Sequence, residues 1–140
     1  MDVMRVEVVS NEYNIYSGEA AFAVVPTVQG ELGIYPRHEP IMSLVRPGAL
    51  RLQVPGQSEE ILVAISGGVL EVQPDKLTIL ADVAVRSSEM DQARAEEAKR
   101  AAEQDLSQAK DGEAQAKAQA ALAAAIAELK TLDYLRMHKK

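Results

Sequence analysis

Met4, Val6 and Val8 alternate with Arg5 and Glu7. A two-residue period of this kind puts one face of an extended segment into a core and the other toward water. Similar short apolar segments run from Ala20 to Val25, Leu50 to Val54, Ile61 to Ile65, Val69 to Val72 and Leu77 to Val83. Turn formers separate them: Ser17-Gly18, Pro47-Gly48, Pro55-Gly56, Gly67-Gly68 and Pro74-Asp75. Many short strands with Gly/Pro turns and no helix-length connection predict an all-β sandwich or flattened barrel.

Near Arg86-Ser87-Ser88 the pattern changes. Beyond it there is no Pro and one Gly, and fifteen of the residues from Met90 to Leu129 are Ala. The break predicts two domains, residues 1–86 and 87–140. Ser88 is the expected N-cap of a first helix, with Asp91 three residues on completing the cap. Met90, Ala93, Ala98, Ala101, Ala102 and Leu106 recur at three- and four-residue steps as its inner face, and Glu96 is set to pair with Arg100. Asp111-Gly112 is the expected stop, the Gly serving as a left-handed C-cap. A second helix is expected from about Glu113 to Tyr134 or beyond, with Leu122, Ile126, Leu129, Leu132 and Leu135 on its apolar side. The two helices should fold into an antiparallel hairpin. Ala favours helix strongly but buries only about 0.8 kcal/mol of methyl per residue, so helicity is strong while docking is weak.

Charge adds one asymmetry. The net charge is −6, and from Ala114 onward only Glu128 and Asp133 oppose Lys117, Lys130, Arg136, Lys139 and Lys140. This end suits an acidic partner, although late positive charge also complements a helix dipole. With no Cys, disulfides and thiolate metal sites are excluded. No apolar run approaches the roughly 20 residues of a membrane span, and no signal pattern opens the chain. These features read as a cytosolic protein that meets a membrane only through partners.

Catalytic motifs are absent: the two His residues, His38 and His138, lie in no HExxH, and no Walker, GxSxG or GxGxxG pattern occurs. Gly30-Glu31-Leu32-Gly33 and Gly67-Gly68 read as turns, since neither opens a helix. No metal ligand set surrounds His38. Few aromatics and a pI of about 5.0 argue against nucleic acid binding. An interaction module remains.

Several segments then resemble one family in order and spacing. They are Gly30-Glu31-Leu32-Gly33-Ile34-Tyr35-Pro36 with His38 and Pro40, Arg46-Pro47-Gly48, Ser66 to Val72, Leu80 to Arg86, and Met90-Asp91-Gln92-Ala93-Arg94-Ala95. Together they are similar to the epsilon subunit of bacterial F-type ATP synthase over essentially the whole chain. The resemblance implies an N-terminal sandwich of about ten strands, a C-terminal helical hairpin and a non-catalytic role at the foot of a central stalk. The implied location is the cytoplasmic face of the bacterial inner membrane, as a peripheral part of the complex.

The resemblance implies that the sandwich packs on the gamma subunit and the c-subunit ring. The loop of Glu31, Ile34, Tyr35 and His38 would make the contact, Ile34 and Tyr35 as exposed apolar groups. Arg37 stands where many relatives carry Gly. The hairpin would fold on the sandwich or extend, about 50 helical residues reaching ~75 Å, to restrain ATP hydrolysis. Arg86, Ser87 and Ser88 would be the hinge. Lys130, Arg136, Lys139 and Lys140 would face an acidic segment of the beta subunit. Asp91 and Arg94 match a motif that binds ATP in some members. Here Ala123, Ala124, Ala125 and Glu128 occupy the stretch where those members present arginines, and a triphosphate needs positive partners. No cofactor is therefore required, and an N-cap with an Asp91 to Arg94 pair is favoured over nucleotide sensing.

Overall fold

The computed structural model describes residues 2–10 and 13–138. Ten strands precede two helices: β1 Met4–Ser10, β2 Tyr13–Ala20, β3 Phe22–Thr27, β4 Gly30–Ile34, β5 Ile41–Val45, β6 Gly48–Gln53, β7 Ile61–Ile65, β8 Gly68–Gln73, β9 Lys76–Ala81 and β10 Ala84–Arg86. A single 3-10 turn at Ser87–Glu89 leads to α1, Gln92–Gln108, and α2, Gly112–His138. The expected sandwich plus hairpin is the fold observed.

The hydrogen-bonded strand order is β10-β7-β6-β3-β5-β8-β9-β1-β2, with β4 added on β3. The path bends where β3 meets β5 at only one pair, Thr27 with Val45, and so doubles into two layers. β1 alternates as expected, with Met4, Val6 and Val8 buried, and these join Leu50, Leu52, Val63, Ile65, Leu70, Val72, Leu77 and Ile79 in one core. All pairings are antiparallel except β1 with β9, where Val6 lies opposite Leu77. That parallel pair closes the first strand onto the ninth.

The β7 segment carries a second message. Val63 and Ile65 enter the core, yet the outward Leu62 and Ala64 are also buried, at 1% and 2% exposure. α2 packs on β6 and β7 and covers them, while α1 packs on α2. The hairpin is thus folded on the sandwich.

Several expectations change. Gly30 to Gly33 is not a turn but most of strand β4, paired along its length with β3. Ser17-Gly18 is no turn: both lie in β2, where Gly18 leaves room for the Tyr16 side chain, whose hydroxyl lies 2.9 Å from the place of a Cβ. α1 begins later than expected, because Ser88 belongs to the 3-10 turn and Asp91 is the N-cap, accepting from the Arg94 amide at 3.0 Å. Of the expected inner face, Ala102 is buried and Leu106 partly so, but Ala93, Ala98 and Ala101 are exposed and Ala95 is buried in their place. Arg100 pairs with Glu97 at 2.8 Å, while Glu96 accepts from Gln92. Asp111-Gly112 opens α2 rather than closing α1: Asp111 Oδ1 accepts from the Ala114 amide at 2.8 Å. A carboxylate N-cap suits the positive end of the helix dipole, which explains both shifts.

Gly67-Gly68 is a tight turn as expected. A Cβ on Gly68, at φ 144, would lie 2.1 Å from the Leu80 carbonyl oxygen.

Candidate functional site

The loop after β4 separates residues that the sequence grouped together. Glu31 is exposed on β4, and Tyr35 is exposed with its ring 4.4 Å from that of Phe22. Ile34 is fully buried in the core and offers nothing to a partner, because strand alternation turns it inward once β4 runs through to residue 34. His38 is partly buried, with Nδ1 2.8 Å from the Glu39 carbonyl oxygen. Between them Arg37 adopts φ 68, the left-handed region that favours Gly, and its amide donates to Pro74 O at 2.6 Å.

An apolar patch lies on the layer opposite the arm. Leu44 pairs across to Val69 and Val69 to Leu80, so the three share one outward row. Leu44 is 60% and Leu80 57% exposed, and Met42 on the same face is 71% exposed. Exposed apolar rows of this kind mark interaction surfaces.

At the link between domains, Arg86 ends β10 opposite Val63 and its guanidinium lies 5.9 Å from the Tyr16 ring centroid. Ser87 and Ser88 form the 3-10 turn, which the Met90 amide closes by donating to Ser87 O. The connection is short and extended on both sides, with no buried residue.

Asp91 and Arg94 meet through the cap bond only. The Arg94 guanidinium donates instead to the Glu89 carbonyl at 3.1 Å, so the expected side-chain pair is replaced. Arg94 also faces Glu128: burial raises the Glu128 carboxyl above its ordinary range, and the Arg94 charge partly opposes the rise. The arginine that would meet a phosphate has a carboxylate across from it.

The basic end of α2 divides likewise. Lys130 Nζ reaches the Pro47 carbonyl at 3.4 Å, and Arg136 pairs with Asp133 at 3.0 Å within the helix. Lys139 and Lys140 lie outside the described residues.

The residues that fix the arm were not singled out from the sequence. Arg51 of β6 donates to the Tyr134 hydroxyl at 2.8 Å and lies 4.8 Å from its ring centroid. Tyr134 donates in turn to Glu60 at 2.6 Å, and Glu31 stands 3.8 Å from the other Arg51 terminal nitrogen. Burial pulls the Arg51 pKa down, but Tyr134, Glu31 and Glu60 together hold it above its ordinary value. Burial and the bond to Glu60 push the Tyr134 hydroxyl up, so it stays protonated as a donor. One signal pointed here: Tyr134 is the only aromatic residue after Arg86.

The apolar side expected for α2, Leu122, Ile126, Leu129, Leu132 and Leu135, is partly buried, and the fully buried side chains of the arm are small. Its buried side chains are Ala95, Ala102, Ala118, Ala125, Ala127 and Thr131, the last donating to Ala127 O within the helix. Among the described residues, no group of three or more His, Asp or Glu could hold a metal ion, and no helix is long and apolar enough to cross a membrane.

Fold and site together define a β-sandwich module that carries a docked two-helix arm. The beta-sandwich domain of the ATP synthase delta/epsilon chain matches residues 3–87, and the long alpha-helix domain of the same chain matches residues 88–133. The chain is 79% identical over 140 residues to an ATP synthase epsilon chain of Neisseria meningitidis serogroup C, covering 100% of both. To that of Chromobacterium violaceum it is 60% identical over 136 residues, 97% of each. A chain of the Euglena gracilis mitochondrial ATP synthase, solved with its c-ring, shares the fold at a TM-score of 0.71. That likeness has 22% identity and covers 97% of this chain and 82% of the other. The chain belongs to the bacterial ATP synthase epsilon chain family.

Proposed function

We propose that this chain is a non-catalytic rotor subunit of a proton-driven ATP synthase, coupling c-ring rotation to ATP synthesis and restraining ATP hydrolysis through its helical arm. The sandwich anchors to the gamma subunit and the c-ring, using the Glu31, Tyr35 and His38 loop and the exposed row of Met42, Leu44 and Leu80. The chain then sits peripherally, on the cytoplasmic face of the inner membrane, held there by the complex.

The observation that carries this reading is the make-up of the arm's docking surface. The arm's fully buried side chains are alanines and Thr131, its larger apolar groups Leu122, Ile126, Leu129, Leu132 and Leu135 are only partly buried, and one polar cluster at Tyr134 pins its end. Each buried methyl contributes about 0.8 kcal/mol, so the arm is separable while both helices keep their strong intrinsic helicity. The Arg86, Ser87 and Ser88 link acts as hinge. In the extended state Lys130, Arg136, Lys139 and Lys140 meet an acidic segment of the beta subunit. No cofactor is required. ATP contact at Asp91 and Arg94 is disfavoured, because Glu128 faces Arg94 across the hairpin.

Ending the chain after Ser88 tests the role. The truncated subunit should still assemble and the complex should hydrolyse ATP faster than with the full chain; an unchanged rate would remove the inhibitory function. Disrupting the Gly30 to Pro40 loop should instead impair proton-coupled synthesis.

A further inference from the structure

Arg51 reaches two ways from the middle of β6. One terminal nitrogen points to Tyr134 on the arm, at 2.8 Å, and the other to Glu31 on β4, at 3.8 Å. A cleft between sandwich and arm, lined by Pro26, Glu31, Arg46, Arg51, Lys130 and Tyr134, opens beside them. The Glu31 side chain is 55% exposed, so a partner reaches its carboxylate without moving the arm, whereas that of Arg51 is 23% exposed.

We propose that Arg51 is a shared joint between the Glu31 loop and the arm, so that a partner engaging the Glu31 carboxylate loosens the arm's hold on the sandwich. The inference rests on the reading of Glu31 as a contact residue and of the arm as releasable.

The sign follows from the geometry. Glu31 and Tyr134 use different nitrogens of one rigid planar fork, so they do not compete for a donor; each fixes the plane for the other. Arg51 Nε is buried without an acceptor, so the guanidinium is already short of partners. Removing Glu31 leaves it further under-satisfied, and the side chain turns toward water and away from Tyr134. Tyr134 then loses its donor and its cation over the ring, keeping only the bond to Glu60 among these contacts. Linkage makes the effect reciprocal: arm release also frees Glu31 for the partner.

Relaxation-dispersion NMR on the isolated full chain measures it, using the methyls of Leu62 and Ala64 that α2 covers. Tyr134→Phe should raise the undocked population about tenfold, as expected for loss of a charge-assisted bond. Glu31→Gln should raise it about threefold, in the range of a partly exposed ion pair, and should have a smaller effect in the Tyr134→Phe background, where only the cation over the ring is left to lose. Arg51→Lys, which keeps the charge but not the fork, should weaken the response to Glu31→Gln as well. A Glu31→Gln shift of equal size in all backgrounds, or no shift in the native one, would overturn the joint. This result stands apart from inhibition. Unchanged hydrolysis on arm deletion would sink the regulatory reading with the joint intact, and an uncoupled cycle would do the reverse.

Discussion

Replacing Ala127 with Leu tests how the arm is held. Ala127 is 1% exposed and lies seven residues, about two helical turns, before Tyr134, so both occupy the α2 face turned to the sandwich. Leu adds three carbon atoms where the fit is already closed, and overpacking of that kind costs about 1–3 kcal/mol. Leu and Ala differ little in helix propensity, so the released arm stays helical. The undocked fraction should therefore rise about five- to 150-fold, at 1.4 kcal/mol per decade. The Leu62 and Ala64 methyls read the docked state, and far-UV circular dichroism reads helix content. The sandwich should lose no more stability than docking itself supplied, so its urea midpoint should fall slightly and then stay fixed on further arm substitutions. If Ala127→Leu lowered helix content and sandwich stability together and without limit, arm and sandwich would be one cooperative unit, and the separable arm would be refuted.

Other expected outcomes follow from single residues. Gly68→Ala should destabilise the sandwich by more than about 3 kcal/mol in urea titration, since its Cβ would sit 2.1 Å from Leu80 O at φ 144. Arg37→Gly should stabilise it by about 0.5–1 kcal/mol, because φ 68 strains any side chain and the exposed ion pair with Asp2 contributes little. Burial raises the Glu128 carboxyl above its ordinary value of 4.5, so its protonated form favours the folded hairpin. That contribution is complete below 4.5 and is lost as pH rises through the elevated folded value. Glu128→Gln should accordingly strengthen arm docking at pH 7 and make no difference in acid, as methyl NMR across pH will show. Calorimetric titration with ATP should show no sub-millimolar binding, and such binding would overturn the preference for a cap over a nucleotide site.

Much of the fold was legible because burial on one face writes itself as alternation, as in Met4, Val6 and Val8. β2 escaped notice because it is a largely exposed edge strand with little alternation to read. The parallel pairing of β1 with β9 joins residues 71 apart, from Val6 to Leu77, which no local pattern encodes. Ile61 to Ile65 is the instructive case. Its unbroken apolar run signals burial on both faces, and the second cover is α2. The candidate site was less accessible. Ile34 looked exposed in a loop beside Tyr35, but it is the inward end of β4. Arg51 reads in sequence as the solvent side of β6, and only the tertiary arrival of Tyr134, 83 residues later, makes it an anchor.

If a detachable arm restrains hydrolysis, locking it down on the sandwich should lift the restraint. The chain has no Cys, so Glu60→Cys and Tyr134→Cys can be bridged across their present contact by a cleavable linker in the assembled complex. ATP hydrolysis should run faster while the arm is held on the sandwich and return to restraint when the linker is cleaved. Equal rates before and after cleavage would contradict restraint by the arm.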